Sequence, residues 1–271
     1  AAQHYVYPSG MAKVGYEEAL SQLYSGLITQ EEFERRVQQM ETRNTDWFDI
    51  LTHNSFSHDH SVSVSGGSEK ARYYTSVGYT SSDDVIDNNM NDRYTAMAKV
   101  DLDLSSKFKF EMNINGYLNK RKYNQTEVNP IDYAYHTSRT IPAYNADGSY
   151  YYYQREGQGT YNGYLRFNVL NELDNSSIRQ NTGAVTTTLN LRYQPLDELF
   201  FNAVVSANVQ NATIENWWGE QSHYVGSLRR AEYGEEIPSD SNLPYGGQFG
   251  RQTNKTVGWT TRLQGNYNKY F

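Results

Sequence analysis

Seven stretches of the chain alternate apolar and polar residues almost without a break. The clearest is Arg93–Leu104. Tyr94, Ala96, Ala98, Val100, Leu102 and Leu104 share one parity, and Arg93, Thr95, Met97, Lys99, Asp101 and Asp103 share the other. A strand sends successive side chains to opposite sides, so one face is apolar and the other charged. The same period places strands at His60–Ser65, Ala71–Ser81, Phe108–Asn119, Thr182–Tyr193, Leu199–Asn211 and Thr256–Asn268. A soluble sandwich also alternates, but its strands average only about 5–6 residues. Strands of roughly 9–11 residues with a polar second face fit a barrel with lipid outside and a wet lumen inside. The expected fold is therefore all-β: a transmembrane antiparallel β-barrel segment with long extracellular loops.

The connections carry a second pattern. Short turns at 66–69, 105–107 and 194–198 alternate with long loops at 82–92, 121–181 and 212–254. Outer-membrane barrels keep short turns on the periplasmic side and long loops outside. Strands one, three, five and seven then descend toward the periplasm. Residues 1–57 lie on the extracellular side as a loop region with short helices, and residues 58–271 supply about seven barrel strands. In 1–57, apolar spacing predicts a helix over Tyr16–Tyr24. A second is expected over about 30–42, opened by the Thr29–Glu32 capping-box spacing, with a further turn starting in Asn44–Asp49. Seven is odd, whereas single-chain bacterial barrels have even counts. A barrel chain also normally begins in the periplasm. Both points lead to the expectation of a piece of a longer barrel chain, with its plug domain outside these residues.

Composition narrows the function. Mean hydropathy is −0.81, and no run approaches the 18 or so apolar residues of a membrane helix. That does not weigh against a barrel, whose strands are only half apolar. The net charge of −7 excludes nucleic acid as an expected partner. With no cysteine, there is no disulfide framework and no thiolate metal site. His53, His58, Asp59 and His60 are close in sequence but match no metal-ligand spacing, and read as solvated residues at a strand mouth. Asp83, Asp84, Asp87 and Asp92 lack the glycine and glutamate of an EF-hand loop. Asn145–Gly148 reads as a hairpin turn. No nucleophile elbow or phosphate-binding glycine loop is placed between a strand and a helix. Neither a catalytic site nor a cofactor is expected.

The 25 tyrosines matter more. Tyr151, Tyr153 and Tyr161 in the first long loop, with Trp217 and Trp218 in the second, offer flat rings at the extracellular side. Such rings either stack on a sugar or a partner, or pack the loops against themselves. On the strands, Arg72, Lys99, Asp101, Glu111, Arg192 and Arg262 fall on the polar face and are expected to line the lumen.

The segment Asn44-Thr-Asp-Trp-Phe-Asp49, followed by His60-Ser-Val-Ser-Val-Ser-Gly-Gly-Ser-Glu-Lys-Ala-Arg-Tyr-Tyr74 and Gly78-Tyr79, resembles the start of the barrel in SusC/RagA-type TonB-dependent transporters. Asp92-Arg-Tyr-Thr95 fits the same pattern, and the best-matching region is about 44–121. The resemblance implies a 22-stranded barrel closed by a plug. It implies energised import of oligosaccharides or peptides across the Gram-negative outer membrane, without enzymatic activity. The implied partners are a SusD-like surface lipoprotein and, through residues outside this chain, the TonB complex. Two other classes stand beside it: a soluble secreted β-protein binding glycans through aromatic loops, and a small closed barrel acting as enzyme or adhesin.

Overall fold

The computed structural model describes residues 12–269. Its elements in chain order are β1 (Ala12–Lys13), α1 (Gly15–Tyr24), α2 (Gln30–Thr42), α3 (Trp47–Leu51), β2 (Ser57–Gly67), β3 (Ala71–Asp83), β4 (Met90–Ser105) and β5 (Phe108–Tyr123). There follow α4 (Pro130–His136), β6 (Tyr153–Glu156), β7 (Tyr164–Phe167), α5 (Val169–Asp174), β8 (Ser176–Leu196), β9 (Leu199–Trp218), α6 (His223–Arg229) and β10 (Gln248–Tyr267).

The seven long strands form one antiparallel sheet in the order β10-β9-β8-β5-β4-β3-β2. Each strand pairs with its neighbour in sequence among these seven, as the alternation implies. The sheet is open: β2 and β10 are its edges and do not pair with each other. A closed barrel is thus not formed by the described residues alone. No helix among them is long and apolar enough to cross a membrane.

Register aligns the two faces across all seven strands. Val62, Val77, Ala96, Gly116, Val185, Val209 and Val257 form one transverse row of direct partners. From Leu199 to Val209 this apolar face runs about 33 Å along the strand, or about 25 Å along the axis at a tilt near 40°. Aromatic residues collect at both ends of the band. Tyr79 and Tyr94 are in ring contact at 4.9 Å toward the long loops. Phe108, Tyr193 and Phe201 are direct partners near the short turns. Val62, Val77, Val257, Trp259 and Leu263 are each more than half exposed. Among the described residues no layer covers this face.

The short and long connections separate as expected, but the strands are longer than the alternation indicated. β8 begins at Ser176 rather than Thr182, β9 runs to Trp218 rather than Asn211, and β10 begins at Gln248 rather than Thr256. Beyond the apolar band the outer face turns polar, as in the row Asp92, Lys120, Asn181, Thr213 and Thr253. Backbone ladders need no apolar side chain, so pairing continues where the hydrophobic period stops. At the opposite end a bulge at Leu104 shifts the register between Asp103 and Ser105.

The main hydrophobic core is not in the sheet. It lies at the long-loop end, in a cap built from 14–51, 124–175 and 219–247 around a small sheet of order β1-β6-β7. Trp47, Leu51, Tyr133, Ile141, Tyr153, Phe167, Val169, Trp218 and Val225 are buried there together. The connection 121–181, expected as one loop, therefore contains α4, β6, β7 and α5. The helices of the N-terminal part stand where spacing placed them. Thr29 caps α2 by accepting from Glu32 N at 3.2 Å, whereas the Glu32 carboxylate turns to Arg35 and Arg36 instead of closing the capping box. Asp46 caps α3 through Phe48 N and Asp49 N.

Candidate functional site

The polar face gathers the charged residues into two hollows of different electrostatic character. Nearer the short turns, Arg72, Asp101, Glu111, Asn190, Val204 and Arg262 are successive partners in one row. Arg192 stands one row toward the turns and Lys99 one row the other way. All six residues expected on the polar face are thus on one face within three adjacent rows. They compensate one another: Lys99 pairs with Asp101 at 3.5 Å and Lys109 with Asp103 at 3.1 Å. Arg72 reaches Asp103 at 3.8 Å, and Asn190 Nδ2 donates to Glu111 at 3.1 Å. The Arg192 guanidinium lies 4.8 Å from the Phe200 ring centre, and Arg262 donates to Gln264. Arg72, Asp101, Asp103, Lys109, Glu111 and Arg192 border a cleft of about 410 Å³, and Lys99 and Arg262 stand outside its lining.

Nearer the cap, Asn91, Arg93, Tyr117, Asn119, Arg121, Gln180 and Thr182 line a second hollow of about 490 Å³. The Arg93 guanidinium rests 5.2 Å from the Tyr117 ring centre, and that of Arg121 is 5.5 Å from Tyr123. No carboxylate lines this hollow. The nearest acid in the Arg93 row is Asp59, two strands away, and it accepts from Thr80 Oγ1. The alternation put Arg93 on the polar face but did not single it out. Register is what joins it to Arg121, and register is not legible until the turns are fixed.

The aromatic residues expected in the loops divide by burial. Tyr153 is buried in β6, its hydroxyl 3.3 Å from that of Tyr133. Trp218 is buried and stacked on Tyr224 at 4.5 Å. Both belong to the cap core and present no free ring. The two tryptophans also lie on the end of β9, not in a loop. Tyr161 folds over its own hairpin, where a Cβ on Gly157 or Gly163 would collide with the ring. Tyr151 is partly buried against the core, and Trp217 keeps an exposed face.

Polar groups stitch the cap together. Glu172 in α5 is buried, and its Oε1 accepts from His223 N at 2.8 Å and from Asn171 Nδ2 at 3.1 Å. Burial raises its pKa to about 7. His223 at the start of α6 is also buried, with Nε2 3.4 Å from the Arg155 carbonyl, and burial lowers its pKa to about 4. Asn168 Nδ2 donates to the carbonyls of Ala143 and Tyr151. At the rim, His53 bridges Asp83 at 2.9 Å and Asp87 at 2.6 Å. These two carboxylates raise its pKa. Among the described residues no cluster of side chains is arranged to hold a metal ion.

No protein-family model matches the chain. Three curated proteins do. TonB-dependent receptor P3 of Formosa agariphila is 34% identical over 116 residues, which is 40% of this chain and 12% of that protein. TonB-dependent receptor P26 of the same organism is 25% identical over 217 residues, or 80% of this chain and 20% of that protein. TonB-dependent receptor SusC of Bacteroides thetaiotaomicron is 30% identical over 110 residues, covering 40% and 11%. The chain is a relative of the SusC/RagA-type TonB-dependent receptors. It spans between about a tenth and a fifth of the curated relatives it matches. Among solved structures, the RagAB peptide transporter superposes with a TM-score of 0.51 at 11% identity over 84% of this SusC/RagA-like chain and 32% of that one. The RagAB peptide importer in its closed-closed state gives a TM-score of 0.52 with the same coverage. At that identity the likeness concerns the fold.

Proposed function

We propose that this chain is a barrel section of an outer-membrane importer, energised through TonB and working with a SusD-like lipoprotein over its extracellular side. Residues 58–271 supply seven consecutive barrel strands, and residues 1–57 join the long loops outside. The observation that carries the reading is the registered meander. Its apolar face is continuous, uncovered and about one bilayer core tall, and all its long connections leave from the same end. In a closed barrel that face meets lipid and the charged face encloses the lumen. The compensated cleft around Asp101 and Asp103 then faces the plug. In this reading Trp217, with its exposed face, and the partly buried Tyr151 and Tyr161 are the aromatic groups that would meet substrate or the lipoprotein. The imported substrate is an oligosaccharide or a peptide.

Epitope tags in the complete receptor test the arrangement. Tags beside Gly148 and Asn242 are expected to be reached by antibody on intact cells, and a tag within Ser105–Lys107 is not. Surface labelling at Ser105–Lys107 would reverse the orientation, and no labelling at either loop would remove the loops from the outside.

A further inference from the structure

We propose that the hollow between Arg93 and Arg121 is a binding subsite for the carboxylate of an acidic oligosaccharide. The inference rests on the barrel reading, which makes this face the lumen wall, and deepens it by naming the substrate class.

The two halves of the polar face differ in charge balance. The cleft nearer the turns is lined by three acids, Asp101, Asp103 and Glu111, beside three bases, Arg72, Lys109 and Arg192, whereas the hollow nearer the cap is lined by two bases and no acid. Nearer the cap, Arg93 and Arg121 have aromatic rings beneath them, but among the described residues neither has an ion-pair partner. Arg93 pairs directly with Asn119, and Arg121 with Asn91. The two residues are therefore diagonal neighbours on adjacent strands, about 7–8 Å apart at the backbone, and their head groups lean to opposite ends of the hollow, Arg93 over Tyr117 toward the turns and Arg121 over Tyr123 toward the cap. Two like charges that border one hollow with no carboxylate in its lining repel, and enclosure in a lumen strengthens the repulsion by lowering the dielectric. An anion between them turns the repulsion into a two-sided clamp, because guanidinium presents a planar fork that matches a carboxylate.

The remaining lining says which anion. Asn91, Asn119, Gln180 and Thr182 supply amides and a hydroxyl around the two arginines. Such groups satisfy the vicinal hydroxyls of a sugar, donating and accepting at once. No apolar recess for a peptide side chain interrupts them, and both neighbouring strands are already paired, so no free edge can bind a peptide backbone. A uronate sugar fits the set: carboxylate to the guanidiniums, hydroxyls to the amides.

The test uses the complete receptor purified from the outer membrane, with a short oligogalacturonate and its methyl ester as probes. The acid is expected to bind at least about tenfold tighter than the ester. Arg93→Gln and Arg121→Gln are each expected to weaken the acid by about tenfold or more while leaving the ester unchanged. Affinity for the acid is expected to fall with salt, and Arg93→Lys to recover only part of it. Equal affinities for acid and ester, or variants that bind like the parent, would overturn the subsite. A peptide that competes only with its carboxyl terminus free, in a receptor blind to oligogalacturonate, would overturn the sugar assignment. Outer-membrane fractionation and heat-modifiable gel mobility are read on the same samples. A receptor correctly inserted yet indifferent to the probes loses the subsite and keeps the barrel, whereas a protein absent from the membrane loses both.

Discussion

Glu172 and His223 make the cap's response to pH depend on which of the two is present. Relative to an opened cap, the native Glu172 pKa stands at about 7 against an ordinary 4.5, and that of His223 at about 4 against 6.5. Each departure from the ordinary value corresponds to about 3 kcal/mol. The two act in opposite directions. An acid with a raised pKa holds a proton that the open state releases, so its contribution falls as pH rises from about 4.5 to 7. A base with a lowered pKa refuses a proton that the open state takes up, so its contribution rises from about pH 4 to 6.5. Between about pH 4.5 and 6.5 native and open states bind the same number of protons, one on Glu172 in the first and one on His223 in the second. The closed cap is then nearly indifferent to pH. Glu172→Gln leaves His223 alone, and opening is expected to become about 3 kcal/mol harder from pH 4 to 6.5. His223→Asn leaves Glu172 alone, and opening is expected to become easier by a similar amount from pH 4.5 to 7. Amide hydrogen exchange at α5 and β6 in the complete receptor, corrected for the intrinsic pH dependence, reads this local opening. Two single variants as flat as the parent, or a steep parent, would refute the coupling of these two groups.

Two further expectations address the faces and the rim. Val100→Arg, in the middle of the apolar face, is expected to cost about 2–4 kcal/mol in a folding titration in lipid, and Met97→Arg on the polar face much less. Equal costs would remove the lipid-facing assignment. The His53 bridge to Asp83 and Asp87 raises the histidine pKa, so its contribution is complete below the ordinary value near 6.5 and is lost as pH rises through the raised one. Protease cleavage around 52–56 is expected to increase over that interval in the parent and to be pH-independent in His53→Ala.

What the sequence discloses is what a short period can carry. The parity of Tyr94, Ala96, Ala98 and Val100 gave the faces, and the turns at 105–107 and 194–198 gave the order of strands, because both are local signals. The ends of β8, β9 and β10 were missed because Ser176–Asn181 and Gln248–Lys255 ladder without an apolar face to mark them. The cap core was hidden for a different reason. Trp47 meets Tyr133, and Tyr153 meets Phe167, through a fold whose contacts join distant segments of the chain, and no periodicity reports them. Tyr153 and Trp218 therefore looked like loop aromatics when they are interior. Glu172 gave no sign in so polar a chain, and Arg93 and Arg121 acquire meaning only once the β4–β5 register sets them diagonally.

The way the cap is tied together also bears on how the sheet is assembled. Each hairpin can slip by two residues without turning a side chain to the wrong face, since the period is two. Such a slip displaces a strand end by about 7 Å. Leu51 and Thr52 are bound to the β3–β4 connection. Arg43 and Trp47 reach the carbonyls of Thr140 and Ser138, beyond β5, and Gln125 reaches the end of β9. A slipped strand would carry its share of these contacts a full residue pair away from the others, and Trp47, Tyr153 and Trp218 could not close around one another. The cap is thus a gauge of register: neighbouring strands can pair early and locally, and the core that spans their ends accepts only the one alignment in which all of them are correct.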